Sequence, residues 1–420
     1  MSDALEAWLA RLEQRTPEAR VHLGLERVLA LLDRLPHARP RCPVVTVGGT
    51  NGKGSVVALL EAIYRAAGYR TVAYTSPHLL SFVERVRIDG QSVEPAPLVD
   101  ALQQVEDHRQ GLDLTYFEHV TLAALIVAAA VRPEVILLEV GLGGRLDAVN
   151  AVDPDVAVIS SIGLDHVEWL GTTRLAIGRE KAGIARPGKP LIVGEADPPR
   201  GWLEEIERLG ARVEAVGRDF RWRRDGMRLR IEIDQHLLSL PLPGLAGAWQ
   251  AGNAATACMA LRALDQQLPV PVAAMAAGLK AAALPGRLQQ IPGAPEIWLD
   301  VAHNADAAAA LAAALASAPG PTVAVFTALA GKDVSAIGQA LADRFERWLV
   351  PELVGDRSRP AAEVAAILHQ LPVTGAVETV ESVAGALASA RADADACARI
   401  VVFGSFRVVA EAMRLIQQRE

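Results

Sequence analysis

The chain has 420 residues, of which 51% are hydrophobic and 22% are charged, and its net charge is −7. This composition excludes a disordered chain, and the acidic balance argues against nucleic acid as the main partner. The three cysteines are too few and too far apart for a disulfide framework or a zinc knuckle, which is typical of a reducing compartment; they are Cys42, Cys258 and Cys397.

A length of 420 residues favours two or three domains. Acidic residues, Asp3 and Glu6, stand where a secretory signal peptide has basic ones. The longest apolar run, 120–131, is shorter than the about 20 residues that a membrane-spanning helix needs. We therefore expect a cytoplasmic protein without a membrane partner.

The first half of the chain alternates strands with helices. Apolar residues at helical spacing predict helices over 5–12 and up to residue 32, and a strand, a glycine-rich turn and a helix follow over 44–67. Further strands are predicted at 71–74, 84–88, 135–140, 156–160 and 191–193, with helices at 97–108, 117–131 and 173–184. This order predicts a mainly parallel, doubly wound sheet.

The pattern changes between Val213 and Leu242, where charged and apolar residues alternate. This segment predicts a small antiparallel sheet with one solvated face. Its arginines could also form a nucleic-acid patch, but the net negative charge of the chain favours a solvated strand face. Helices are predicted at 253–264 and 272–282, and Pro285-Gly286 is typical of a hinge.

A second alternation follows the hinge and predicts another α/β domain. Its strands are expected at 297–301, 322–326, 347–350 and 399–403, and its helices at 305–316, 335–345, 361–369, 380–391 and 407–417. We see no phosphate-binding loop in this part of the sequence. The predicted domains are therefore 1–284, which binds the phosphates, and 285–420.

The glycine-rich turn after the first strand predicts a phosphate cradle. Glycines allow backbone N–H groups to converge on an anion, the helix start adds a positive dipole end, and Lys53 supplies a charge. The Ser55 hydroxyl is a candidate Mg²⁺ ligand. The turn departs from the common P-loop pattern, because Gly54 separates the Lys from the Ser. The alternative is an ordinary β–α turn with a solvated Lys53.

Glu139 is the second candidate, because it ends an apolar strand. A carboxylate there is costly unless it is paired or bound to metal, and parallel sheets bind ligands at the carboxyl ends of their strands. It is either a Mg²⁺ ligand or water-orienting acid, or a buried acid satisfied by Arg145. After the next strand, Asp165 and His166 are candidate metal ligands, and the alternative for His166 is a packed or capping residue.

Several other polar residues carry little information alone. Ser76 precedes a proline, as turn residues often do, and Lys181 is read by default as a surface lysine of a helix. Three more polar residues lie at a helix start, at the hinge and at a strand end, where capping or turn roles are equally open: Asn253, Arg287 and Asp300.

Taken together, eight motifs in this order resemble one family over nearly the whole chain. They occupy 46–55, 75–79, 139–147, 161–166, 180–184, 285–287, 300–304 and 404–406. The family is the bacterial bifunctional dihydrofolate synthase/folylpolyglutamate synthase group of Mur-type ligases. The resemblance implies a P-loop α/β domain with a small antiparallel sheet, followed by a second, Rossmann-like α/β domain.

The resemblance also implies an activity. ATP phosphorylates the carboxylate of dihydropteroate or of a folate, and the amine of L-glutamate displaces the phosphate to form an amide. The implied partners are these small molecules, with neither nucleic acid nor a membrane, and the implied protein is a monomer. The implied cofactors are Mg²⁺ at two sites, with K⁺ as a further candidate.

The family's functional residues map onto this chain by the same resemblance. Those implied for ATP are Thr50, Asn51, Gly52, Lys53, Gly54, Ser55, Asn253, Arg287 and Asp300. Those implied for metal are Ser55, Ser76, Glu139, His166 and Lys181, the last as a carbamylated lysine, and Lys53, His166 and Lys181 are the implied catalytic residues. Those implied for the acceptor and glutamate are His22, Leu23, Gly24, Leu25, Thr115, Tyr116, Phe117, Glu118, Leu146 and His303.

Three alternatives are weighed against this assignment. A peptidoglycan Mur ligase needs a domain of about 100 residues before the cradle, and only about 45 precede it. A regulatory P-loop GTPase needs an Asn-Lys-x-Asp motif, which the sequence lacks. A monofunctional folylpolyglutamate synthase stays open, although the segment 114–118 resembles the dihydropteroate pocket of bifunctional members.

Overall fold

The computed structural model describes residues 3–17, 22–355, 357–392 and 398–418, so Cys397 lies outside the described residues. The chain divides into two compact units. The first unit comprises Met1–Gly163, Val167–Leu245 and Gln250–Ala283. The second unit comprises Leu164–His166, Ala246–Trp249 and Leu284–Glu420.

An eight-stranded sheet forms the centre of the first unit, in the spatial order β4-β3-β2-β5-β1-β6-β7-β8. Two pairings at one edge, β4 with β3 and β3 with β2, are antiparallel, and the other pairings are parallel. Its strands are β1 Val44–Gly48, β2 Thr71–Tyr74, β3 Val86–Ile88, β4 Gln91–Ser92, β5 Val135–Glu139, β6 Val156–Ile159, β7 Pro190–Val193 and β8 Arg212–Ala215.

The strand β1 lies at the middle of this sheet because it is apolar on both faces. Every residue of β1 and β5 is buried, as a strand covered by helices on both sides requires. The register sets Val47 beside Glu139, and Gly48 beside Ile159. The carboxyl ends of β1, β5 and β6 therefore meet at one edge of the sheet.

Helices cover both faces of the sheet and bury its core. They are α1 Asp3–Arg15, α2 Glu26–Arg34, α3 Lys53–Ala66, α4 Pro95–Arg109, α5 Tyr116–Val131, α6 Val167–Leu170, α7 Arg174–Ala182, α8 Trp202–Arg208, α9 Gln250–Ala263 and α10 Val272–Ala281. Three 3₁₀ turns complete the unit, at Pro36–Ala38, Phe82–Arg85 and Ala148–Ala151. Among the described residues, each helix is too short or too polar to cross a bilayer.

A separate three-stranded antiparallel sheet consists of β9 Phe220–Asp225, β10 Arg228–Ile233 and β11 His236–Pro241. The antiparallel sheet was expected to begin at Val213, and this boundary is wrong. Val213 belongs to β8, which pairs in parallel with β7 because its apolar residues extend the large sheet. The predicted solvated face is confirmed, since Arg221 and Arg223 share one face and are exposed, whereas Leu229 and Ile231 on the other face are buried.

The second unit contains a six-stranded sheet in the order β12-β13-β17-β14-β15-β16, parallel except at β12. Its strands are β12 Gln289–Ile291, β13 Glu296–Leu299, β14 Thr322–Phe326, β15 Arg347–Pro351, β16 Ala376–Val380 and β17 Arg399–Phe403. Its helices are α11 Ala305–Ala316, α12 Val334–Ala340, α13 Ala361–His369, α14 Val383–Ala392 and α15 Phe406–Gln417. The core includes stacked Phe326 and Phe403, with ring centroids 4.8 Å apart.

Three further predicted boundaries are wrong, two in the second unit and one in the first. The helix expected to reach Phe345 ends at Ala340, before a tight turn. The helix expected from Val380 begins at Val383, because Val380 ends β16 beside Pro351. The strand expected from Glu84 begins at Val86, since Glu84 lies in a 3₁₀ turn and accepts the N–H of Ser81.

Candidate active site

The phosphate cradle forms where β1 turns into α3. Gly52 has φ +87°, a left-handed conformation that glycine adopts without steric cost, and α3 begins at the next residue. The N-cap residue Gly52 has no side chain that could accept the first N–H groups of α3, and such N–H groups at a helix start are suited to binding an anion. The Lys53 ammonium donates to the carbonyls of Gly49 and Thr50, at 3.1 and 3.2 Å. The predicted turn and its lysine thus lie together.

Residues that follow β6 support the cradle from beside it. The Ser160 and Ser161 hydroxyls donate to the Asn51 carbonyl at 2.6 and 3.0 Å. The Thr50 hydroxyl donates to the Gly163 carbonyl at 3.1 Å and accepts the Gly163 N–H at 2.9 Å. The conformation of the turn is therefore fixed by hydrogen bonds from the adjacent strand end.

The helix α9 brings Asn253 to the same turn. A Cβ atom built on Gly52 would lie 2.7 Å from the Asn253 Oδ1, so a larger residue here would force this side chain to move. Asn253 donates to Gln250 at 2.9 Å, and Gln250 donates to the Ser55 hydroxyl at 3.2 Å. Sequence reasoning missed Gln250, because a glutamine in a helix carries no signal until its partner is known.

Glu139 lies at the carboxyl end of β5, as predicted, and is buried. Its Oε2 accepts the Ser76 N–H at 3.2 Å, so two of the residues implied for metal lie together. The alternative of a pair with Arg145 is wrong, because Arg145 pairs with Glu180 at 2.9 Å. A carboxylate oxygen is a ligand type that suits Mg²⁺.

The described residues hold no cluster of three or more His, Cys, Asp or Glu side chains that suffices for a metal ion. Mg²⁺ in proteins takes one or two carboxylates and completes its shell with phosphate oxygens and water. Glu139, together with the Ser55 and Ser76 hydroxyls, meets that description.

Lys181 is only 3% exposed on α7, unlike the surface lysine that its sequence context suggests. The α7 terminus packs against the turn that follows β5. A Cβ on Gly144 would lie 2.9 Å from the carbonyl oxygens of Glu180 and Lys181. Burying an ammonium group is costly, which is consistent with a chemical role for this lysine.

Asp147 ends the motif 139–147 and was not predicted to be a functional residue. Its carboxylate accepts the N–H groups of Leu142 at 2.8 Å and Val149 at 3.1 Å. Burial raises the pKa of Asp147 to about 6, although the backbone N–H groups and Lys53 oppose this increase. The predicted Leu146 precedes it and is half-buried.

The start of α5 gathers the residues implied for the acceptor. Thr115 and Glu118 form a capping box, in which each side chain accepts the other's N–H. The Phe117 ring lies over Gly141, where a Cβ would come within 2.6 Å of it. Tyr116 faces the fully buried Arg85, whose guanidinium is 5.8 Å from the ring centroid.

The other predicted acceptor segment, 22–25, leads into α2. His22 is exposed, Leu23 and Leu25 are half-buried, and Gly24 is buried. Arg27 links this segment to α5, because it donates to the His22 carbonyl at 2.9 Å and pairs with Glu118 at 2.9 Å. The structure therefore brings the two predicted segments together.

In the second unit, Asp165 is the centre of a polar cluster. Its carboxylate lies 2.6 Å from the Lys332 ammonium, 3.4 Å from His303 Nε2 and 3.3 Å from Asn304 Nδ2. Burial alone would raise the pKa of Asp165, but the His303 hydrogen bond and the Lys332 charge hold it well below its ordinary value. His166 follows directly, with its N–H donating to Asp165 at 2.9 Å.

The remaining predicted residues of the second unit lie around the carboxyl end of β13. Asp300 accepts the N–H groups of Leu288 and Ala302, both at 2.7 Å. Burial raises the pKa of Asp300, and the charge of Arg287 opposes this increase. The Arg287 guanidinium lies 5.0 Å from the Phe406 ring centroid, and the His303 ring lies 6.3 Å from the same ring.

Comparisons with known proteins agree with this geometry. The Mur ligase middle domain matches residues 47–260, and the Mur ligase glutamate ligase domain matches residues 286–406. The dihydrofolate synthase/folylpolyglutamate synthase of Escherichia coli strain K12 is 40% identical over 419 residues, which cover 99% of this chain and 96% of the relative. This chain belongs to the dihydrofolate synthase/folylpolyglutamate synthase family of Mur ligases.

Solved structures of family members show the same fold. FolC of E. coli, in complex with DHPP and ADP, has a TM-score of 0.93 at 39% identity, with 100% of each chain covered. A bifunctional folylpolyglutamate synthase/dihydrofolate synthase with Mn, AMPPNP and L-glutamate bound has a TM-score of 0.90 at 40% identity, with 98% of each chain covered. The predicted fold class and family are therefore confirmed.

Proposed function

We propose that this protein is an ATP-dependent ligase that joins L-glutamate to dihydropteroate and to folates. The full-length match to the E. coli dihydrofolate synthase/folylpolyglutamate synthase, at 40% identity over 99% of this chain, carries the proposal. The bound molecules named for the two similar structures support the substrates, since one holds DHPP and ADP and the other holds AMPPNP and L-glutamate.

The reaction consists of two transfers. A carboxylate oxygen of the acceptor attacks the γ-phosphorus of ATP. The bond between the γ-phosphorus and the β-phosphate oxygen breaks, which gives ADP and an acyl phosphate. The amine of L-glutamate then attacks the acyl carbon, and the tetrahedral intermediate expels inorganic phosphate to give the amide and a released proton. Phosphorylation is needed because a free carboxylate has no adequate leaving group.

The cradle holds the nucleotide phosphates in this proposal. Its backbone N–H groups and Lys53 stabilise the charge that develops during phosphoryl transfer, and Asn253 fixes the cradle from α9. Ser55, Ser76 and Glu139 are the residues that would hold a Mg²⁺ ion, and its charge would offset that of the phosphate oxygens. Arg287 and Asp300 are proposed nucleotide contacts, and His303 is a proposed glutamate contact.

Lys181 is proposed to be carbamylated, and His166 and this carbamate are proposed ligands of a second Mg²⁺ ion. The 3% exposure of Lys181 supports the modification, because a carbamate at this buried position could bind a cation, whereas an ammonium could not. Carbon-13 NMR with labelled bicarbonate tests this point: a carbamate signal is expected in the wild type and not in Lys181→Gln. Equal spectra would remove the modification from the proposal.

The test of the proposed function uses purified protein with ATP, Mg²⁺ and L-glutamate. Dihydropteroate and tetrahydrofolate are supplied in separate reactions, and ADP, phosphate and the glutamylated product are measured. Turnover of both acceptors is expected. Turnover of tetrahydrofolate alone would favour the monofunctional alternative. If no ATP were consumed with either acceptor, the proposal would be contradicted.

A further inference from the structure

One buried ion pair joins the two segments that are proposed to bind the acceptor. The Arg27 Nε donates to both carboxylate oxygens of Glu118, at 3.0 and 3.1 Å, and its Nη2 lies 2.9 Å from Oε1. The side chains are 18% and 4% exposed, so water screens this pair far less than the pairs at the surface. A planar guanidinium suits this geometry, whereas a lysine ammonium has no matching fork.

The same two side chains also hold the backbone of both segments. Arg27 Nη2 donates to the His22 carbonyl at 2.9 Å, which fixes the chain before α2. Glu118 Oε2 accepts the Thr115 N–H at 2.8 Å, which fixes the first turn of α5. The His22 carbonyl and the Thr115 amide are therefore linked through one guanidinium and one carboxylate.

These contacts occupy the Glu118 carboxylate. Both of its oxygens accept hydrogen bonds from Arg27, and one also accepts the Thr115 N–H. Since the residue is 3% exposed, an acceptor molecule would have to break the ion pair to reach it. Phe117 and Tyr116, by contrast, present rings beside the turn after β5 and near Arg85.

We infer that Arg27 and Glu118 are a positioning pair, which sets the segment 22–25 against the start of α5 so that both present the acceptor site. This inference rests on the proposed function, because it assumes that these segments bind the pteroate or folate. Neither side chain touches the reacting atoms. Loss of the pair should therefore weaken acceptor binding and leave the nucleotide site unchanged.

The test compares Arg27→Gln, Arg27→Lys and Glu118→Gln with a matched control, Arg15→Gln. Arg15 pairs with Glu106 at 2.7 Å, is 21% exposed and also lies 3.0 Å from His119 Nδ1 on α5. Its substitution therefore removes a partly buried arginine that contacts the same helix but has no contact to the His22 carbonyl or to Glu118 among those described. For Arg27→Gln and Glu118→Gln, we expect the KM for dihydropteroate to rise by about tenfold or more, while the KM for ATP stays near the wild-type value. Arg27→Lys should recover part of the loss.

Hydrogen exchange provides a readout that does not depend on turnover. The amides of residues 22–25 should exchange faster in Arg27→Gln than in the wild type or in Arg15→Gln. Where Arg27→Gln does not fold, Arg27→Lys takes its place in both measurements. An unchanged dihydropteroate KM with unchanged exchange would overturn the inference, as would an equal rise of the dihydropteroate and ATP KM values.

The wild-type protein separates the two failures. A wild type without ligase turnover contradicts the proposed function, irrespective of the variants. A wild type that is active, with Arg27 and Glu118 variants that behave like Arg15→Gln, contradicts only the positioning role.

Discussion

At the scale of single residues, Lys53 is the side chain on which the cradle depends most. Its ammonium lies over the turn and donates to the carbonyls of Gly49 and Thr50. This position suits a phosphate-binding lysine. The two carbonyl contacts orient the ammonium, and phosphate oxygens could replace them at little cost in free energy.

We expect Lys53→Ala to reduce ATP-dependent ligation by more than about a hundredfold, since it removes a charge aimed at the developing negative charge. Phosphate release measures this loss, and circular dichroism should report an intact fold. Lys189→Ala is the control, because its ammonium forms an exposed pair with Asp155 at 2.8 Å. Near-normal turnover in Lys53→Ala would contradict the cradle assignment.

His119 makes a separate prediction about pH. It is fully buried, with Arg15 3.0 Å from Nδ1 and the Leu102 carbonyl 3.1 Å from Nε2, so the neutral ring fits both contacts. Burial lowers the pKa of His119 from 6.5 to about 4. The unfolded chain then binds the proton more readily than the folded chain, and stability should fall as pH decreases from 6.5 toward 4.

Between about pH 7 and about pH 5, this residue should cost the wild type on the order of 2 kcal/mol of unfolding free energy. His119→Gln removes the titration but keeps one acceptor and one donor. Its unfolding free energy, measured in urea at both pH values, should fall less than that of the wild type. His236→Gln, at an exposed position, should follow the wild type. An equal decrease in all three proteins would refute the prediction.

At the scale of elements, the cradle helix α3 is held from behind by α10. Gly278 allows this approach, since a Cβ there would lie 2.4 Å from the Ile63 Cα and 2.6 Å from the Ile63 backbone nitrogen. Backbone atoms cannot move aside as a side chain can. The close packing of the two helices therefore depends on one missing methyl group.

We expect Gly278→Ala to destabilise the first unit by about 1–3 kcal/mol, because the added methyl group forces the helices apart. Gly385→Ala is the matched control, since among the described residues outside its own helix backbone and chain neighbours its Cβ would meet just Ser382 Oγ, at an ordinary distance of 3.5 Å. That change should be neutral or stabilising, as alanine favours a helix over glycine. Thermal unfolding compares them, and equal melting temperatures would contradict the packing argument.

Some elements could be predicted from the sequence and others could not, for physical reasons. The buried strands β1, β5 and β14 consist mostly of apolar, largely β-branched residues, and their positions were predicted closely. Edge strands such as β12 and β16 are half solvated, so their alternation is weak. Val213 was assigned to the wrong sheet for a different reason, because the local sequence does not encode which strand is the pairing partner.

The candidate site divides in the same way. Glu139 was placed correctly at a strand end, because parallel sheets fix where such ends lie. Gln250 and Arg27 could not be found, since a glutamine and an arginine on helices are ordinary surface residues in sequence. Their roles depend on partners 195 and 91 residues away in the chain.

At the scale of the whole molecule, nucleotide binding should appear as added stability. AMPPNP with Mg²⁺ at about 100 times its Kd should raise the unfolding free energy by about 2.7 kcal/mol, because only the folded state binds it. Thermal unfolding with and without EDTA measures the effect, and chelation should remove most of it. An equal increase in the presence of EDTA would show that nucleotide binding does not need a divalent ion.

The assignment of Leu164–His166 to the second unit has a practical consequence for dissecting this protein. A recombinant fragment that begins at Leu284 lacks Asp165, and the Lys332 ammonium loses the carboxylate that neutralises it at 2.6 Å. Such a fragment carries an uncompensated charge in a half-buried place. Expression of the glutamate ligase portion by itself should therefore succeed better when the tripeptide is supplied in trans or grafted by a short tether.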